Sequence, residues 1–204
     1  MPSADAYMEI SDPDVWGETF DEQFGMGPKG RKLGAFEITK FDFGASTNTE
    51  PDKDTDSKSK DGQQKAGKTT AAHKETTKGN FTVTKAIDKG SPDLFLACVK
   101  KKKLDWAIIC LRETGEVNRK PFLVLEFTNL RVTSFKWDLT PGDAESAASM
   151  ETVDFDFETI LIKYSQQMKT GDHIPVKLKG WNYPDNKPYQ TELPWTVFQP
   201  EAAG

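Results

Sequence analysis

Residues 46–78 contain no Val, Ile, Leu, Met, Phe, Trp, Tyr or Cys, and their only apolar side chains are Ala66, Ala71 and Ala72. A run this long without core-forming side chains has too little apolar surface to offset the entropy lost when a chain is ordered. It predicts a long polar loop. The apolar material before it is too short to fold alone, so the loop interrupts one domain spanning residues 1–204 rather than separating two. The segment also carries seven lysines against six acidic residues, so the acidic excess belongs to the rest of the chain, with 20 basic against 26 acidic residues. An acidic balance favours solubility and has the wrong sign for a general nucleic-acid binder. The loop dilutes the hydrophobic fraction to 36%, below ordinary globular usage.

Outside the loop the pattern is mostly β, with runs rich in β-branched and aromatic residues. Residues 4–10 read as a short first strand. In residues 35–43 (AFEITKFDF), Phe36 and Ile38 share one parity while Phe41 and Phe43 share the other, which predicts a bulge or burial on both faces. Residues 80–87 alternate Phe81, Val83 and Ile87 with Thr82 and Thr84. Residues 105–113 are apolar on both parities, Trp106, Ile108 and Cys110 on one and Ala107, Ile109 and Leu111 on the other, as in a strand covered on two sides. Residues 121–137 and 151–164 read as two unusually long strands joined by the turn-like TPGDAESAAS, and 174–181 as a final strand.

One helix interrupts this series. Ser91 is suited to the N-cap, Pro92 to the first helical position and Asp93 to the positive end of the dipole, with Lys100 to Lys103 at the negative end. Leu94 with Cys98, and Phe95 with Val99, form apolar i,i+4 pairs able to pack the helix on a sheet. The expected fold is therefore mainly β, a two-sheet β-barrel or sandwich with one short flanking helix and a polar loop inserted between strands.

Few motifs point to chemistry. Residues 62–69 (GQQKAGKT) spell the phosphate-loop pattern, but neither an apolar strand before them nor an amphipathic helix after them is present to converge amides on a phosphate. Asp52, Asp54 and Asp56 open like a calcium loop, yet Ser57 stands where the turn glycine belongs and Gln63 where the closing glutamate belongs. Asp154, Asp156 and Glu158 alternate with Val153, Phe155 and Phe157, so strand geometry alone accounts for three acids on a wet face. His73 and His173 have no neighbouring ligand or triad pattern. Cys98 and Cys110 lie in apolar surroundings and read as buried free thiols. Trp106 and Trp137 fall within apolar strand patterns and read as core. No catalytic residue, metal site or cofactor is expected. The N-terminus lacks a basic region followed by an apolar stretch, and no apolar run spans a bilayer, so neither a cleaved signal peptide nor membrane insertion is expected.

The segment GNFTVTKAIDKGSPDLFLACVKKKK resembles the strand, Lys-x-x-Asp-Lys-x-Ser-Pro turn and helix of the haemolysin-coregulated protein family, the tube subunits of type VI secretion systems. Lys85, Asp88, Lys89, Ser91 and Pro92 all fall in place, as structural rather than catalytic residues. FEITKFDFGAS precedes the loop in family order, and FLVLEFTNLRVTSFKW, METVDFDFETILIKYSQQ and VKLKGWNYPDNKP follow it. The resemblance implies a two-sheet barrel with a flanking helix that assembles as a homohexameric ring. Rings of that family stack into a hollow tube in the cytoplasm, sheathed and tipped by a spike protein, and are expelled with effectors. The loop at 46–78 occupies the place of a family loop involved in ring stacking, which makes Thr47, Asp52, Asp54, Lys58, Lys65 and Lys68 candidate stacking residues. Residues 188–204 form a C-terminal extension relative to the family. The competing reading is a monomeric β-sandwich that binds glycan or peptide through exposed aromatics; an effector with the barrel as carrier is a third.

Overall fold

The computed structural model describes residues 4–11, 15–21, 24, 34–47, 76–114, 121–138, 149–165 and 177–190. In chain order the elements are β1 (Ala4–Ile10), β2 (Phe36–Ile38), β3 (Lys40–Thr47), β4 (Thr76–Ala86), α1 (Ser91–Val99), β5 (Lys103–Glu113), β6 (Leu123–Asp138), β7 (Met150–Asp156), β8 (Thr159–Tyr164), β9 (Lys177–Asn182) and β10 (Lys187–Pro188). The chain divides into two compact units, Met1–Phe43 with Asn80–Gly204, and Gly44–Gly79. The second unit holds the inner ends of β3 and β4, where a Cβ on Gly79 would meet the Gly44 carbonyl oxygen at 2.3 Å. Glycine is required there because the two backbones approach too closely for a side chain.

The strands form a closed circuit. β1 pairs antiparallel with β5, β5 with β6, β6 with β7 and β7 with β4. β4 pairs with β3, and the Thr39 amide donates to the Thr84 carbonyl at 2.9 Å where β2 passes into β3. β2 pairs back to β1, with Ala6 opposite Ile38. The interruption at Thr39 explains the parity change in AFEITKFDF. Phe36 and Ile38 before it, and Phe41 and Phe43 after it, all pack on one core.

That core is aromatic. The Phe81 ring stacks on Phe127 at 4.2 Å and on Phe155 at 4.8 Å, with Phe157 at 5.8 Å and Phe41 at 6.0 Å. A second, smaller cluster lies on the other face of β1, β5 and β6, where Tyr7, Ile108, Cys110 and Val124 are covered by Phe24 and Ala35. β5 is buried on both sides as its sequence predicts, with Ala107 and Ile109 in the larger cluster and Ile108 and Cys110 in the smaller.

Four expectations need correction. The strand read over 151–164 is two strands: β8 continues the register of β7 along β6, but β7 turns to β4 while β8 turns to β9. The break is built by Asn129 at φ 55°, whose amide donates to Glu158 at 2.6 Å, and by the Glu158 amide donating to the Thr128 carbonyl at 3.0 Å. Asparagine tolerates that left-handed conformation better than most residues. Second, the helix N-cap is Gly90 rather than Ser91, and Lys100 is the C-cap, so the lysines follow the last turn instead of occupying it. Third, α1 buries Leu94 and Ala97, while Phe95 and Val99 are exposed. Fourth, Trp137 is exposed rather than core, and Cys98 is only half-buried. The final strand begins at Lys177, and the earlier part of the 174–181 reading falls outside the described residues.

Because Phe81 packs against four other rings, Phe81→Ala is expected to lower stability by about 3–5 kcal/mol in urea denaturation. Phe20→Ala, at a ring that is 97% exposed, is expected to change it by less than about 0.5 kcal/mol.

Candidate functional site

The Lys-x-x-Asp-Lys-x-Ser-Pro turn joins β4 to α1. Lys85 lies opposite Glu151 of β7 in the antiparallel register, and Glu151 lies opposite Trp137 of β6. The three side chains form a row across the sheet at the barrel end to which α1 is attached. Lys85 and Glu151 are both buried, at 2% and 0% side-chain exposure, and pair at 2.9 Å. The ammonium also reaches Asp88 Oδ1 at 2.9 Å and the Ala86 carbonyl at 2.8 Å, and lies 4.8 Å from the centre of the Phe36 ring. Two carboxylates against one ammonium leave an excess negative charge. N–H donors offset it: Trp137 Nε1 donates to Glu151 Oε2 at 3.0 Å, and the Gly90 amide donates to Asp88 Oδ1 at 2.9 Å.

Ser91 completes the turn. Its buried hydroxyl accepts from the Asp88 amide at 2.9 Å, which engages it backward and leaves the helix start without a side-chain cap. Gly90 is needed because a Cβ there would stand 2.6 Å from the Trp16 carbonyl oxygen and 2.7 Å from the Phe36 ring. Of the motif residues, Lys85, Asp88 and Ser91 therefore converge. Lys89 does not join them; its ammonium sits 3.9 Å from the centre of the Trp16 ring. Pro92 is exposed in the first helical turn.

Beside this row α1 and β6 share an aromatic face. Phe95 packs edge-on against Phe135 at 5.9 Å, and Phe135 against Trp137 at 5.8 Å. Phe95, Leu96, Val99 and Trp137 are 41–62% exposed.

Two other buried charge clusters lie on the far face of the sheet. Lys163 pairs with Glu126, both side chains buried. Arg112 pairs with Asp21 and lies between the Tyr7 and Phe24 rings, at 5.2 and 4.9 Å from their centres. Asp21 also accepts from Tyr7 at 3.1 Å and from the Phe24 amide at 3.2 Å, which ties the segment before β2 to β1 and β5. Burial opposes the Arg112 charge, but hydrogen bonding and attraction from Asp21 outweigh it and raise its pKa. Burial, reinforced by the Asp21 charge, pushes the Tyr7 hydroxyl up, and burial holds the Cys110 thiol well above its ordinary value.

Sequence reasoning missed Glu151, Glu126 and Lys163. The signal was present: each is a charged residue on the parity of buried neighbours, Glu151 with Val153 and Phe155, Glu126 with Val124, and Lys163 with Leu161. Asp154, Asp156 and Glu158 occupy half-buried positions on the opposite parity, and Asp154 accepts from Thr82 at 2.7 Å. Thr47 ends β3, whereas Asp52, Asp54, Lys58, Lys65 and Lys68 lie outside the described residues, as do His73, His173, Trp195 and the phosphate-loop-like residues 62–69. Among the described residues no group of three or more His, Cys, Asp or Glu is placed to hold a metal ion. No described helix is long and apolar enough to cross a membrane.

The order of strands, the turn and the helix define a class, and comparison with known proteins supplies it. Residues 7–164 match the model of the type VI secretion system effector Hcp family, and the chain belongs to that family. The Hcp1 protein of Pseudomonas aeruginosa is 30% identical over 109 residues, a match covering 52% of this chain and 65% of that relative, less than two thirds of its length. A solved structure of a type six secretion system protein superposes with a TM-score of 0.70 at 21% identity, covering 92% of this chain and all of that one. Hcp1 from Salmonella typhimurium gives 0.61 at 21% identity, covering 93% of this chain and all of that one. These structures share the fold.

Replacing one partner of the buried pair strands the other. Lys85→Met is expected to cost about 3–5 kcal/mol, and Lys85→Met with Glu151→Leu less than the two single changes together. A double-mutant cycle by chemical denaturation measures both. The raised Cys110 pKa also sets a pH dependence. A thiol harder to ionise when folded contributes stability that is fully present below its unfolded value of about 8.5 and is lost as pH rises above it. Stability should therefore fall between pH 8 and 10, less steeply in Cys110→Ala, and iodoacetamide should label half-buried Cys98 before Cys110.

Proposed function

We propose that the chain is a structural tube subunit: copies associate head to tail into a hexameric ring, and rings stack into a hollow tube expelled through a type VI apparatus. Membership of the Hcp family is the observation that carries this reading. The partners are copies of the chain itself and the sheath, spike and effector proteins of the same system. Assembly takes place in the cytoplasm and secretion through the apparatus; the role needs no catalytic group, cofactor, nucleic acid or membrane insertion. The apolar face of Phe95, Leu96, Val99 and Trp137 supports self-association, since exposed aromatic clusters of this kind mark protein interfaces. Head-to-tail contacts between unlike surfaces close into a ring when the rotation permits.

The loop at 46–78 makes the contacts between stacked rings in this reading, with Thr47, Asp52, Asp54, Lys58, Lys65 and Lys68 pairing with charges on the next ring. β3 and β4 carry the two ends of that segment. Electron microscopy of the purified protein tests the ring: sixfold annuli are expected, and monodisperse monomers at high concentration would favour the aromatic ligand-binding module instead. Deleting residues 47–78 is expected to leave rings and abolish tubes. Unchanged tubes after the deletion would make the segment a surface decoration.

A further inference from the structure

Strand β9 is covered unequally on its two sides. β8 lines one side from Lys177 to Asn182, whereas β10 pairs on the other side with Trp181 and Asn182 alone. Backbone bonding runs one residue past β10, because the Tyr189 amide donates to the Gly180 carbonyl at 3.0 Å. Gly180 permits that approach: a Cβ there would stand 2.5 Å from the Tyr189 carbonyl oxygen. Beyond Gly180 the edge continues through Lys179 and Lys177, both exposed, and half-buried Leu178. Opposed residues of antiparallel strands alternate between hydrogen-bonded and non-bonded pairs. Gly180 turns its carbonyl toward Tyr189, so Leu178, two residues away, turns its N–H and C=O to the same side.

The described chain leaves off at Gln190, already running antiparallel along this edge, and residues 191–204 follow. Continuing the register of Lys187 with Asn182 and Pro188 with Trp181 sets Gln190 opposite Lys179, Thr191 opposite Leu178 and Glu192 opposite Lys177. We propose that residues 191–193 of the same chain occupy the open edge of β9, extending β10 and closing the sheet against strand addition by another molecule. Thr191 falls at the bonded position, where its amide donates to the Leu178 carbonyl. Glu192 meets the opposite charge of Lys177 across the pair. Pro188 and Pro194 share the parity whose N–H would point away from β9, so neither removes a bond to that strand, and both blunt the outer side of the added one. Thr191 follows Gln190 directly, so its effective concentration at the edge exceeds that of any second copy. The proposal does not depend on the ring reading.

Native-state hydrogen exchange of the full chain tests the register at one amide. Thr191→Pro places a proline at a bonded position and should speed exchange of the Leu178 amide about tenfold, while Glu192→Pro, at an outward-facing position, should change it much less. A second measurement identifies the occupant. Lys177→Cys with Glu192→Cys, in a Cys98→Ser background, opposes two thiols at a non-bonded pair whose Cα atoms stand about 4.5 Å apart. Dilute protein oxidised with glutathione disulfide should form that bridge within one chain, and Lys177→Cys with Thr191→Cys, which face opposite sides of the sheet, should not. Disulfide-linked dimers from the first pair would make a second copy the occupant and overturn the proposal. Equal bridging by both pairs, or Leu178 exchange unchanged by Thr191→Pro, would also overturn it.

Discussion

Strand β6 is the constraint on which the remaining architecture depends. Its 16 residues serve three partners, β5 and β8 along the first half and β7 along the second, with a register shift between Val132 and Ser134. A strand of about 50 Å cannot stay flat while its neighbours close into a barrel, and the local bulge adds the twist that closure requires. The circuit from β6 through β7, β4, β3, β2, β1 and β5 returns to β6 and protects its edges, while β8, β9 and β10 extend the sheet outside it. Phe127, on the first half of β6, meets Phe81 of β4 at the centre of the enclosed core.

Closure explains the placing of charge. Side chains near a barrel end alternate between the enclosed core and the outside, and helix α1 lies against the far half of β6, so the inward positions at that end are dry. Lys85, Glu151, Asp88 and Ser91 occupy them as one network, which fixes the start of α1 relative to β4 and β7. The Arg112 cluster does the corresponding work on the opposite face, tying the segment before β2 to β1 and β5. Both clusters join pieces of chain far apart in sequence, where apolar packing alone leaves orientation less strictly specified.

Much of this was legible without coordinates. The first strand, the parity change at Thr39, the two-sided burial of β5 and the polar character of residues 46–78 follow from periodicity and composition. The Lys85, Asp88 and Ser91 cluster was recognisable only as an ordered set of ordinary residues, because their convergence depends on the turn geometry and on Glu151, 66 residues beyond Lys85. The break between β7 and β8 was hidden because alternation continues through Phe155, Phe157 and Thr159; it arises from a change of partner, which local pattern does not encode. Trp137 was misread for a related reason. Its strand is apolar at its start and exposed at its end, and only the position of the barrel rim separates the two.

By itself the sequence determined the class: alternating and two-sided apolar runs must form covered strands, and a segment without apolar side chains cannot join their core. Family membership was also written there, in the collinear order of strand, turn and helix. Tertiary structure alone decided which charges are buried, which strand is shared among three partners, and that an exposed tryptophan is held by a carboxylate with no access to solvent. Those outcomes depend on register and on which edges meet, and these are set by long-range closure of the sheet rather than by any stretch of residues taken alone.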